Sequence, residues 1–250
     1  MPSTVKNGKF YRQTFFPLEA NPVVFNEVMQ GLGVASSLTF VDVLSIDDPD
    51  VLAWVPRPAL ALVMVCPDSP AYKAKRRELD SQKGEYTGKG GEEPAIWWRQ
   101  TIYNACGLYG LLHAVTNDPA RRYIQKGSIL DGLLERGILL APEERALVLE
   151  GSPELEKIHT AAALKGDTAP PEHEDDEVDG HYICFVRSQK DGHVYLLDGD
   201  RKGPLDLGIA LKEGEDMLSE GALEAVRSQI RLEDGANVNF NLMALVEAQD

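Results

Sequence analysis

Cys106 sits in the stretch "IWWRQTIYNACGLYGLLHAVTN", residues 96–117. From Ala105 on, apolar residues at Leu108, Leu111, Leu112 and Val115 form the stripe of a helix packed on a core. Cys106 then falls in the first turn, where backbone N–H groups lack helical partners and the positive end of the helix dipole lies. Both favour a thiolate over a thiol. Asn104, just upstream, is a good residue to cap that helix. A cysteine in such a place is either a small buried hydrophobe, as most free cysteines are, or a nucleophile held at a helix start. Gln100, in the loop entering the helix, could donate its amide to an oxyanion formed by attack of Cys106, with the Cys106 N–H as second donor. One such donor is typically worth ~10²–10³ in rate.

A base for that thiol is offered far along the chain. "HYICFVRSQKDGHVYLLDGDRKGP" (181–204) alternates apolar and polar residues around "KDG", the pattern of two strands joined by a tight turn. His181 opens the first strand and Asp198 closes the second, so both emerge at the same end of the hairpin. Asp198 can hold one ring nitrogen of His181 while the other faces outward. The imidazole would deprotonate the thiol and later protonate a leaving amine. Taken singly, His181 could be a strand-end histidine and Asp198 a turn residue before Gly199. Cys, His and Asp in the chain order of papain-like thiol proteases, with a glutamine upstream of the cysteine, are hard to assign to coincidence.

Other candidates carry less. His113 lies two turns along the helix from Cys106, about 10 Å away. His159 and His173 approach or enter an acidic connector, and His193 sits beside the hairpin turn. Cys184 points to the side of its strand opposite His181, and Cys66 ends an apolar run; both are expected in the core. No pair among these has ligand spacing, so no metal site is expected. "GEYTGKG" (85–90 with its neighbour Gly84) is no phosphate loop, because Lys89 is followed by Gly90 rather than Ser or Thr. No cofactor is expected.

The elements that must position these residues are legible in part. "LEANPVVFNEVMQGLGV" (18–34) reads as a helix capped by Asn21 with Pro22 at its first position. "LTFVDVLS" (38–45) reads as a strand. "RPALALVMVCP" (57–67) is a continuous apolar run bounded by prolines, which suits a central strand covered on both faces. Residues 68–95 read as polar and irregular. Helices are expected over 127–138, opened by Ser128, over 141–151, and over 151–166, capped by Ser152. The segment 166–180, "GDTAPPEHEDDEVDG", is proline-rich and acidic and reads as a mobile connector. A helix over 218–232 and a last strand over 237–248 complete one α+β domain, residues 1–250, with a central sheet.

The bulk composition narrows the partners. The 250 residues carry 40 acidic and 25 basic side chains, a formal charge of −15. Such a surface repels nucleic-acid backbones and anionic lipid, so neither partner is expected. The longest apolar run, 59–66, is far short of the ~20 residues a membrane helix needs. Three scattered cysteines and no apolar leader suit the cytosol or nucleus.

"QTIYNACGLYGLLHAVTN" resembles the cysteine box of the ubiquitin C-terminal hydrolase family of deubiquitinating cysteine proteases. "FFPLEANPVVFNEVMQGLGV", "VDVLSIDDPDVLAWVPRPALALVMVCP", the 181–204 hairpin and "VNFNLMALV" resemble further segments of that family, in order along nearly the whole chain. The resemblance implies Cys106 as nucleophile, His181 as base and acid, Asp198 as orienting carboxylate and Gln100 as oxyanion donor. It implies a papain-like fold, a central antiparallel sheet between helices with a knotted backbone, and a crossover loop over the active site at about 151–179. Such a loop would favour small or unfolded leaving groups on ubiquitin, the implied partner of a monomeric enzyme. Tyr103 departs from the pattern, where family members usually carry a small residue. Leu108 and Tyr109 replace a commoner small or β-branched pair, with packing alone expected to change. Alternatives are a hydrolase of a close ubiquitin-like modifier, a ubiquitin-binding module without turnover, and a general thiol protease.

Overall fold

The apolar run at 59–66 is the centre of a sheet with neighbours on both sides. The computed structural model describes residues 4–6, 9–67, 69–169, 171–176, 178–233 and 239–249. In chain order the strands are β1 (Thr4–Lys6), β2 (Lys9–Tyr11), β3 (Gln13–Thr14), β4 (Leu38–Asp42), β5 (Ala59–Cys66), β6 (Ile102–Tyr103), β7 (His181–Arg187), β8 (His193–Leu197), β9 (Leu205–Ala210) and β10 (Asn241–Glu247). The helices are α1 (Pro22–Gly31), α2 (Pro49–Leu52), α3 (Pro70–Ser81), α4 (Cys106–Thr116), α5 (Ile129–Gly137), α6 (Pro142–Glu150), α7 (Pro153–Ala163) and α8 (Glu220–Ile230). Six strands form one sheet in the order β4-β10-β5-β7-β8-β9, each pair antiparallel.

Alternation along the strands divides the core in two. Ala61 and Val63 of β5 and Tyr182, Cys184 and Val186 of β7 join a cluster with α1, α4, α5 and α7. Leu62, Met64, Ile183 and Phe185 face a second cluster, with Tyr72 of α3 and Ala222, Leu223 and Val226 of α8. The fold is therefore α+β, an antiparallel sheet flanked by helices on both faces.

Most of the expected elements appear, and caps explain their starts. Asn21 accepts from Val23 N, Ser128 from Asp131 N and Ser152 from Leu155 N. The last strand was expected to begin at 237; residues 237 and 238 lie outside the described residues, and β10 begins at Asn241. The 68–95 stretch is not irregular throughout. Ser69 caps α3, twelve residues long, of which only Tyr72 is buried. A helix so solvated has no apolar stripe to betray it. The helix expected over 151–166 appears as α7, which buries Leu155, His159, Ala162 and Ala163. The strand β9 and the short pairs β1–β2 and β3–β6 were not foreseen. Among the described residues, no helix is long and apolar enough to cross a membrane.

Candidate active site

All eleven residues of α4 are buried. A helix can sit that deep only if its backbone approaches the sheet closely. Gly107 and Gly110 allow this: a Cβ on Gly107 would stand 3.1 Å from Leu18 Cβ and 3.4 Å from Tyr182 Cε2, and one on Gly110 3.3 Å from Val63 Cγ1. Glycine costs a helix about 1 kcal/mol relative to alanine, so the sequence trades helix propensity for proximity. The result places Cys106, first residue of α4, beside the start of β7. Asn104 is not the cap expected of it. It adopts φ 56°, in the left-handed region that Asn tolerates. Ala105 takes the cap position with no side-chain bond. The Asn104 amide instead donates to Glu174 O at 2.8 Å and Asp176 O at 2.9 Å.

The structure brings Cys106, His181 and Asp198 together. His181 Nε2 meets Asp198 Oδ1 at 2.7 Å, and the ring also hydrogen-bonds Cys106, which leaves Nδ1 for the thiol. Burial pushes the His181 imidazolium down, but the Asp198 carboxylate, by charge and by hydrogen bond, and the Cys106 contact together raise it to about 10. Burial pushes Asp198 up, yet the imidazolium and Arg76 hold it well below the usual carboxylate range. The carboxylate thus stabilises the imidazolium that forms when the ring takes up the thiol proton. Asp198, 0 % exposed, also accepts from Asp200 N at 2.9 Å.

Arg76 of α3, missed in the sequence, reaches this carboxylate: Nη1 lies 3.4 Å from Asp198 Oδ2 and Nη2 donates to Asp200 Oδ2 at 2.8 Å. Only a reading of α3 as a helix could have flagged it.

Gln100 is 6 % exposed and lines the same cleft as Cys106 and His181, a space of about 670 Å³. Its Nε2 donates to Ile102 O at 3.2 Å, so the amide's second N–H can serve an anion in the cleft. Its loop is pinned from three sides. One face of α4 holds it: Trp98 N donates to His113 Nε2 at 2.9 Å, Trp98 Nε1 to Thr116 Oγ1 at 3.0 Å, and Ile96 N to Asn117 Oδ1 at 2.7 Å. Thr101 N donates to Tyr109 Oη at 3.2 Å, so Tyr109 does more than pack. His113 is buried and neutral, its imidazolium pushed down by burial to about 3, which frees a lone pair to accept from Trp98. Arg145, fully buried, pairs with Glu93 and donates to Trp97 O at 2.9 Å from the opposite side. Lastly, the turn after β8 docks here: Gln100 N donates to Gly199 O at 2.7 Å and Trp97 Nε1 to Asp198 O at 2.9 Å. A Cβ on Gly199 would stand 2.9 Å from Gln100 Cβ and 3.1 Å from Trp98 O.

Of the residues set aside, Cys184 and Cys66 are buried, and burial pushes the Cys184 thiol well up. His159 is buried against Phe15 and its Nε2 meets Phe16 O at 2.7 Å. Among the described residues, no group of three or more His, Cys, Asp and Glu could hold a metal ion. The arrangement can perform acyl transfer: a thiol with an imidazole beside it to take its proton, a carboxylate behind that ring, and an amide donor beside the helix start.

Comparison with known proteins was made on the whole chain. The family model described as "Ubiquitin carboxyl-terminal hydrolase, family 1" matches residues 15–231. The chain is 34% identical over 234 residues to ubiquitin carboxyl-terminal hydrolase isozyme L1 of Equus caballus, covering 93% of this chain and 98% of that one. It is 34% identical over 236 residues to a probable ubiquitin carboxyl-terminal hydrolase of Dictyostelium discoideum, covering 94% and 89%. The catalytic domain of Trichinella spiralis UCH37, solved bound to ubiquitin vinyl methyl ester, superposes with a TM-score of 0.72 at 22% identity, over 95% of this chain and 97% of that one.

Proposed function

Given that the chain belongs to family 1 of the ubiquitin carboxyl-terminal hydrolases, we propose that it is a thiol hydrolase cleaving small or flexible adducts from the C-terminal glycine of ubiquitin. His181 takes the proton of the Cys106 thiol, and the resulting thiolate attacks the glycine carbonyl. The oxyanion forms beside the Gln100 amide and the Cys106 N–H. As the tetrahedral species collapses, its C–N bond breaks and the charged His181 gives its proton to the leaving amine, leaving a thioester on Cys106. Neutral His181 then takes a proton from water as the water attacks the thioester, and returns it to the Cys106 sulfur as the C–S bond breaks and ubiquitin leaves. Asp198 holds the ring in one tautomer throughout.

The single observation that carries this reading is the buried Asp198–His181 contact at 2.7 Å with the Cys106 thiol on the same ring. The preference for small leaving groups is supported by the tie of Asn104 to Glu174 and Asp176, which holds that segment beside Cys106. The segment carries Glu172, Glu174, Asp175, Asp176 and Asp179, a charge suited to a basic tail. A fluorogenic ubiquitin C-terminal amide tests the proposal. Hydrolysis by the wild type and its loss in Cys106→Ala are expected. Tight binding without turnover would make the protein a ubiquitin-binding module, and equal cleavage of casein would make it a general protease.

A further inference from the structure

The strands β1 and β2 precede the residues that the family model matches, 15–231. They pair antiparallel with Thr4 opposite Tyr11, Val5 opposite Phe10 and Lys6 opposite Lys9. A lone two-stranded hairpin is marginal in water, and two lysines set directly opposite destabilise it further. Val5 and Phe10 are 67 % and 58 % exposed, so the outer face contributes little burial. The other face must hold it, and that face lies on the active-site cleft.

Its contacts reach both walls. On the side of the Asp198 turn, Lys9 Nζ pairs with Asp200 Oδ1 at 2.7 Å. On the side of the acidic segment, Lys6 Nζ donates to Asp175 O at 3.0 Å. Between them the buried Tyr11 ring lies 5.3 Å from that of Tyr103, and Lys6 Nζ lies 5.4 Å from the Tyr103 ring centroid. Lys9, Tyr11, Tyr103 and Cys106 all line the same cleft. Tyr103 is the residue where the family resemblance leads to a small side chain instead. Two features outside the family pattern, a hairpin ahead of the matched region and a bulky ring before the nucleophile, therefore touch each other.

We propose that the N-terminal hairpin is a latch across the active-site cleft, seated on Tyr103, that a ubiquitin tail must displace to reach Cys106. Lys9, Tyr11 and Tyr103 then control access to the nucleophile of the hydrolysis proposed above, on which this inference rests. A latch acts on the free enzyme. It multiplies KM by the inverse of the open fraction and leaves kcat untouched, since once the tail is seated the latch is already displaced.

The test compares the full chain with a deletion of residues 2–11 and with the milder Lys9→Gln, using the fluorogenic ubiquitin amide. In parallel, the alkylation rate of Cys106 by iodoacetamide is read by peptide mass, which needs no ubiquitin. The deletion should lower KM about tenfold at constant kcat, as for a latch open in about a tenth of molecules. Lys9→Gln should lower it about two- to fivefold, the range for one partly exposed ion pair. Cys106 alkylation should quicken in the same order. Unchanged KM and alkylation overturn the latch, as does a rise in KM. A fall in kcat at constant KM also overturns it, because the hairpin would then be supporting the Asp198 turn. Faster alkylation in the deletion, with no variant hydrolysing the ubiquitin amide, would uphold the latch and reject the ubiquitin reading.

Discussion

The floor of the cleft and its mouth are held by different kinds of bond. The floor is the loop 96–100, fixed by His113, Thr116, Asn117 and Arg145, whose polar atoms are buried and paired. The mouth is held by Lys9 on Asp200 and Lys6 on Asp175 O, both partly or fully exposed. Removing one partner of a buried hydrogen bond leaves the other stranded and costs about 1–3 kcal/mol. An exposed ion pair is worth about 0–1 kcal/mol. The difference teaches that groups meeting the reacting atoms are fixed, while those meeting the substrate first are within thermal reach of rearrangement.

The contrast can be broken or sharpened by substitution. Asp198→Asn should have the largest effect, lowering kcat by about 10⁴ through loss of the correct tautomer. It should also move the alkaline limb of the kcat profile downward. The His181 imidazolium, raised to about 10 chiefly by Asp198 against its burial, is lost only as pH climbs through that value. Near-normal turnover in this variant would remove Asp198 from the mechanism. Gln100→Ala should cost ~10²–10³ in kcat with little change in KM, and an effect on KM alone would place the amide in binding. Arg145→Met should lower unfolding stability by about 3–5 kcal/mol, because Glu93 is left buried without its partner; chemical denaturation measures it, and a change below about 1 kcal/mol would make this floor no firmer than the mouth. Arg76→Gln should lower kcat about tenfold, the loss of one long charge-assisted bond. Its alkaline limb should move upward, opposite to Asp198→Asn, because the guanidinium repels the imidazolium. The smallest effect belongs to the mouth: residues inserted into 166–180 should leave hydrolysis of a small amide within about threefold while admitting bulkier adducts. An unchanged size limit would count against gating by that segment.

How far these sites were legible follows from the same division. His181 and Asp198 could be found because alternation and the "KDG" turn fix a hairpin and therefore which ends meet. Cys106 could be found because the stripe of α4 sets where its first turn lies. Arg76 could not, since α3 buries only Tyr72 and its highly charged sequence offers no apolar run to mark a helix. Asn104 was misassigned because asparagine serves equally as a cap and as a residue of positive φ, and neighbours in sequence do not decide between them. The β1–β2 hairpin escaped because its inner face is matched to Asp200, Asp175 and Tyr103, residues far away in the chain.

Gly199 closes the distance between the turn that carries Asp198 and the segment that carries Gln100. Any side chain there would act as a wedge, prising the Asp198 turn and the Gln100 loop apart in one stroke. Damage at this single position would thus mimic two independent lesions, and adding Gln100→Ala to it should cost far less than the two penalties summed.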